Sequence, residues 1–216
     1  MHTQKICDMT KRLILTVTLL VAMLAGEART VRDFLASEPG EVFTTLPRTA
    51  RLDMLDYYAN GTIVRANNNM SGGSQLDTVT DNFLRIHTSA ARTVEMRLMR
   101  WKSDTIIAVV ETVETPVKDS RITFYNKHWY QLKEIKPFKM PTMDDFILPT
   151  VKKGQRKELL QQLPFSLIEL SFGGPDFEQL TARHGLAEFL SKEEWAKLKP
   201  YFRPTLTYRV QGGKIK

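Results

Sequence analysis

The sequence predicts an α+β protein: an antiparallel β-meander sheet with helices packed on it, in two associated halves. Three observations carry that expectation. Between Leu76 and Leu132, apolar and polar residues alternate in segment after segment, the period of strands with one buried face. The spacers between those segments are short, which favours antiparallel neighbours over crossover connections. Pro137, Pro141 and Pro149 then cluster in a connector, and a second helix-and-strand pattern begins beyond it. The expected division is residues 1–28 as a signal peptide, 29–136 as a helix-plus-sheet half and 137–216 as a smaller α+β half.

The N-terminal segment is read first. Lys5, Lys11 and Arg12 precede an apolar run from Leu13 to Leu24, and Gly26-Glu27-Ala28 follows. Basic head, apolar core and small residues are the layout of a secretory signal peptide, with cleavage expected near Ala28. Met9 offers an alternative start with a more compact charged head. The apolar run is short for a membrane span, which needs about 20 residues. The sole cysteine, Cys7, lies ahead of that run, so no lipid-bearing cysteine follows the apolar core. The product expected is periplasmic or secreted, free of disulfides and without a stable membrane span. Its stability must come from burial, which a chain of this size can supply. Removing residues 1–28 changes the Lys and Arg against Asp and Glu balance from 31 against 24 to 28 against 22. The remaining excess is dispersed apart from Lys152–Lys157, a solvated face. With no recognised module, a nucleic-acid partner is not expected.

The helices and strands follow in order. Val31–Leu35 is a short helical stretch broken at Pro39-Gly40. Pro47 leads into Arg48–Ala59, where Leu52, Leu55 and Ala59 make one apolar stripe, and Asn60-Gly61 supplies the stop. Asn67–Ser74 is read as a turn-rich loop. Leu84, Ile86 and Thr88 oppose Phe83, Arg85 and His87; Val94, Met96 and Leu98 oppose Thr93, Glu95 and Arg97. Lys102-Ser103-Asp104 is a turn. Ile106–Val110 is apolar at every position, as in a strand covered on both faces. Thr115-Pro116 ends it, Ile122–Tyr125 alternates again, and Asn126-Lys127-His128 turns into an expected strand at Trp129–Leu132. In the second half, a helix is expected at Lys157–Leu163, a strand at Phe165–Phe172 and a turn at Gly173–Asp176 into Phe177–Arg183. Ser191 and Glu194 form a capping box opening helix Lys192–Lys199. Thr205–Val210 is the last strand, with Leu206, Tyr208 and Val210 on one face.

Catalytic patterns are weak. His87, His128 and His184 stand far apart and in no ligand spacing, so no metal or other cofactor is expected. Ser71-Gly72-Gly73-Ser74 is not a nucleophile elbow. Asp53 and Asp56, one helical turn apart, sit too close together to flank a sugar ring. The candidate ligand surface is Asp53, Asp56, Asp119, His128, Trp129 and Tyr130; Trp129 and Tyr130 would be its stacking platform, or part of the core. The leading expectation is a non-catalytic module that binds an envelope protein, peptide or glycan. The alternative is an envelope hydrolase using Asp53, Asp56 or Asp119 with His128, which requires those groups to approach within about 2.6–3.2 Å or through one water.

Several stretches in order carry a resemblance: Leu46-Pro47 through Arg51–Asp56, then Asp81–Leu84, then Val109–Val113, then Asp119-Ser120 with Ile122–Tyr125 and Trp129, and Leu198–Lys216. Read together, they make the chain similar to the bacterial domain-of-unknown-function 3256 family, exported proteins of gut and oral Gram-negative anaerobes. The resemblance implies an exported bacterial protein and covers most of Val31–Lys216. It implies no established activity, and no site residue carries over from it.

Overall fold

Hydrogen-bonding side chains close the ends of the first two helices. In the computed structural model, which describes residues 29–216 other than 63–64, 71, 135–136 and 164, α1 spans Val31–Ser37 and α2 spans Arg48–Ala59. The predicted signal peptide lies outside the described residues. Thr30 donates from its amide and hydroxyl to Asp33 Oδ2 at 2.7 and 2.9 Å, satisfying a donor at the start of α1. At the far end of α2, the Asn60 amide reaches the carbonyls of Asp56 and Tyr57, and Gly61 follows at φ +72°. That is the stop the sequence predicts.

Six strands form one antiparallel meander in chain order: β1 (Arg65–Asn67), β2 (Gly73–Val79), β3 (Phe83–Ser89), β4 (Arg92–Trp101), β5 (Asp104–Val113) and β6 (Asp119–Asn126). Four more form a second meander: β7 (Ile168–Gly173), β8 (Gln179–His184), β9 (Thr205–Gln211) and β10 (Lys214–Ile215). Short helices α3 (Met143–Phe146) and α4 (Lys153–Gln161) lie between the sheets in sequence, and α5 (Leu186–Phe189) and α6 (Lys192–Leu198) join β8 to β9. The Ser191 cap of α6 is present, with Glu194 N donating to Ser191 Oγ at 3.2 Å and Ser191 N to Glu194 Oε2 at 3.0 Å.

The six-stranded sheet carries a core on each face. On one, Leu84, Ile86, Val94, Met96, Ile107 and Val109 pack against Val31, Phe34, Leu35, Met54 and Leu55 of the first two helices. On the other, Phe83, Met99, Ile106, Ala108, Val110 and Phe124 pack against Ile168, Leu170, Phe172, Leu180 and Ala182 of the second sheet. Strand β5 is therefore covered on both sides, as its unbroken apolar run predicts. Among the described residues, the two cores run from Val31 to Ile215. No helix of the described residues is long and apolar enough to cross a membrane.

Three local expectations change. Gly73 and Ser74 belong to β2 rather than a loop, and Arg65–Asn67 pairs with it as an added edge strand. Trp129–Leu132 is not a strand: only Gln131 bridges back, to Tyr125, because Trp129 turns at φ +66°. The helix expected at Lys157–Leu163 instead runs Lys153–Gln161, starting within the Lys152–Lys157 basic run.

Candidate functional site

The second sheet rests on the first through the exposed edge of β7. Cross-strand pairing to β8 leaves the amides of Ile168, Leu170 and Phe172 pointing outward. Each meets an acceptor from the six-stranded sheet. Ile168 N donates to Asp119 Oδ1 at 3.1 Å, Leu170 N to Ser120 Oγ at 2.9 Å and Phe172 N to Glu95 Oε2 at 2.7 Å. An unpaired strand edge is a template for aggregation; here side chains occupy it.

Glu95 is the centre of this seam. It is 4% exposed. Its other oxygen accepts from Arg85 Nε at 2.7 Å and Ser171 Oγ at 2.9 Å. Burial pushes its carboxyl above the usual range, and the Arg85 charge and the Phe172 amide only partly offset that. Beside it, Thr93 Oγ1 donates to Glu114 Oε1 and lies 2.9 Å from His87 Nδ1. A hydroxyl has one proton. Since Glu114 receives it, Thr93 Oγ1 is left to accept from His87 Nδ1–H. The order is histidine, hydroxyl, carboxylate, so the imidazole is not placed to take the Thr93 proton as a nucleophile's base would.

Ion pairs continue the seam. Lys118 Nζ lies 3.2 Å from Glu114 and 2.9 Å from Glu169, and Glu169 also pairs with Arg183 at 2.9 Å. Burial would raise the Glu169 carboxyl, but hydrogen bonds from Lys118 and Arg183 outweigh it and hold it below the usual value. The same Glu169 contact raises the Lys118 ammonium. Between these side chains is a cleft of about 320 Å³ lined by Asp77, Arg85, His87, Thr93, Glu114 and Lys118 among others. An adjoining hollow of about 500 Å³ runs toward Arg65, Gly73 and Gln75. Both are lined by His87 and Glu114, so together they form one polar groove.

The residues singled out from sequence are dispersed relative to this groove. Asp53 and Asp56 are exposed on α2. Asp119 and His128 stand at opposite ends of β6, roughly 23 Å of strand apart, and Asp119 is committed to the Ile168 amide. No hydrogen bond or ion pair among the described residues joins any of the four. Trp129 is buried in the helix-side core, its ring centroid 5.4 Å from Tyr125. Tyr130, beside it, is 72% exposed. Among the described residues no group of three or more His, Cys, Asp or Glu side chains is placed to hold a metal ion. Sequence reasoning missed Glu95, Thr93 and Glu114. The available signal was the pairing of Arg85 opposite Glu95 and His87 opposite Thr93 on adjacent strands.

Two antiparallel meanders stacked face to edge, with helices on the outer face of the larger, define an α+β protein with a polar groove along its seam. The chain belongs to the family described as protein of unknown function (DUF3256), whose model matches residues 23–215. It is similar to a solved domain of an uncharacterized protein from Porphyromonas gingivalis W83, at 26% identity and a TM-score of 0.72, over 86% of this chain and 96% of that one. No curated protein matches the sequence.

Proposed function

We propose that this chain is an exported bacterial envelope protein, periplasmic or secreted, that acts as a non-catalytic binding module and takes a peptide, protein segment or glycan in the seam groove. One observation carries the reading. The charged groups lining the groove are bonded to one another, Lys118 to Glu114 and Glu169, Arg85 to Glu95 and Asp77, so the groove offers fixed hydrogen-bonding groups rather than a base poised beside a nucleophile. The His87 ring and the rim groups Arg65, Gln75 and Ser89 suit a polar ligand with many donors and acceptors. The apolar run ending at Leu24 supports export.

The test is titration of labelled chain 29–216 with peptide and glycan libraries, followed by amide shifts. The expected result is a ligand whose shifts centre on His87, Thr93 and Glu114 and whose affinity drops at least tenfold in His87→Ala. Ligands mapping elsewhere, or turnover of hydrolase substrates lost in Thr93→Val, would overturn the reading. N-terminal sequencing of the envelope-fraction protein checks export, with Arg29 expected as the first residue.

A further inference from the structure

The opposite end of β4 and β5, roughly 20 Å from Glu95 along β4, carries a second and different cluster. Three turns meet there: β4–β5 at Trp101–Asp104, the loop after β6 at 127–130, and β9–β10 at Gly212-Gly213. Lys127 Nζ lies 3.3 Å from Asp104 Oδ1. Lys214 Nζ sits 5.8 Å from the centroid of the Trp101 ring. Gly213, at φ +76°, is pressed so close that a Cβ there would fall 2.6 Å from Trp101 and 2.7 Å from the Arg100 carbonyl. The turns are thus seated on one another and present their side chains together.

Four cations gather on them: Arg100, Lys102, Lys127 and Lys214, all exposed. Their one ion pair among the described residues is Lys127 with Asp104. Asp104 is held below the usual carboxylate range by the Thr105 amide and by Lys127, with His128 adding to the field. His128 and Tyr130 stand exposed on the neighbouring loop, and Trp101 is half-buried beneath Lys214. Elsewhere the acids of this basic protein are largely taken: Glu38 by Arg51, Glu111 by Arg92 and Arg121, Glu169 by Lys118 and Arg183.

We propose that this turn cluster docks the protein on the anionic face of a lipid membrane. Charge complementarity is the first reason: Lys and Arg near an anionic leaflet are attracted to it, and their apolar stems lie along the surface while the charged heads stay in water. Shape and ring chemistry are the second. The cations project from the tips of three turns rather than encircle a ligand. Tyr130 and Trp101 supply the amphipathic rings suited to the headgroup layer. Docking by this end turns the groove toward the solvent side, so the membrane and a groove ligand can be held at once.

The test is co-sedimentation of chain 29–216, the exported form that the proposed function assigns, with phosphatidylcholine vesicles and with vesicles one-third phosphatidylglycerol. The expected result is binding to the anionic vesicles alone, weakened by added salt. Removing one cation should cost about fivefold in affinity. The triple variant Arg100→Glu, Lys102→Glu and Lys214→Glu should lose at least about a hundredfold. Equal charge reversal on α4 and α6, Lys153→Glu, Lys157→Glu and Lys192→Glu, should leave most of the binding. If the first triple variant melts early, Lys102→Ala and Lys214→Ala singly should each show the fivefold loss. Three results overturn the proposal: no binding to anionic vesicles at low salt, equal loss in both triple variants, or binding to a soluble acidic polysaccharide without binding to vesicles. His87→Ala should leave vesicle binding unchanged, which separates failure of this surface from failure of the groove.

Discussion

The two ends of β4 and β5 use the same residue types to opposite effect. At the seam, Glu95 is buried and bonded to Arg85 and to the Phe172 amide of the second sheet, and Lys118 reaches Glu169 of that sheet. At the turns, Arg100, Lys102 and Lys214 stand in water with no ion-pair partner among the described residues. Desolvation decides the difference. Breaking a buried, hydrogen-bonded pair leaves an uncompensated charge and costs about 3–5 kcal/mol, whereas an exposed charge contributes about 0–1 kcal/mol. Charges at one end therefore hold the fold together, and charges at the other are free to serve something outside it.

The sharpest way to break that contrast is Glu95→Ala. It strands the buried Phe172 amide, removes the acceptor of the Ser171 hydroxyl and takes the shorter of the two carboxylate contacts of Arg85, and should cost about 3–5 kcal/mol, read as a fall of about 10 °C in melting temperature. An unchanged melting temperature would mean that the seam is ornament. Next is Ser120→Ala, which removes the acceptor of the Leu170 amide and the partner of Thr112 Oγ1 at 2.8 Å. Loss of a buried acceptor predicts about 1–3 kcal/mol by denaturant unfolding.

Glu95 also predicts an unusual pH response. Its folded carboxyl sits above the unfolded value, so the folded state binds that proton more tightly. Stability from this group therefore rises as pH falls through the raised value and is complete below about 4.5, the ordinary value. Asp33, Asp145 and Glu169 are lowered instead, so their stabilisation is present above the ordinary carboxylate range and is lost in acid. His184, pushed down by burial beside Phe146, Trp195 and Phe202, withdraws stability as pH falls through the ordinary histidine range. Subtracting the melting-temperature curve of Glu95→Gln from that of the parent isolates the Glu95 part, which should grow toward acid. A flat difference would remove burial as the cause. The smallest effect belongs to the turns. Lys102→Glu with Lys214→Glu should move stability by less than about 0.5 kcal/mol while weakening vesicle binding strongly.

The sequence carried much of the framework. The all-apolar run Ile106–Val110 announced a strand covered on both faces, Ser191 with Glu194 announced the start of α6, and Asn60-Gly61 announced the end of α2. Each signal is local, so period and capping chemistry suffice to read it. The seam was not legible in the same way. Thr93, Glu95 and Arg97 alternate with apolar neighbours like any polar face, and nothing within β4 says that a strand some eighty residues later will sit on that face. Asp119 was visible as a carboxylate near a turn, but its partner is a backbone amide, and a backbone amide has no signature in sequence. Trp129 was read as a platform or core residue. Its positive φ, which folds it inward against Tyr125, is a tertiary outcome that no propensity anticipates.

The three capped amides of β7 also govern how the molecule must be assembled. The ribosome delivers the chain from its N-terminus, so Glu95, Asp119 and Ser120 are made before Ile168, Leu170 and Phe172. The second sheet is then never left with an open edge while it waits for a neighbour. A permuted chain that emerged with β7–β10 first, or a fragment that began after the proline-rich connector, would present three unmet donors in a row to other copies of itself, and inclusion bodies would be the outcome. Reading order along the gene is, for this protein, part of its protection against self-association.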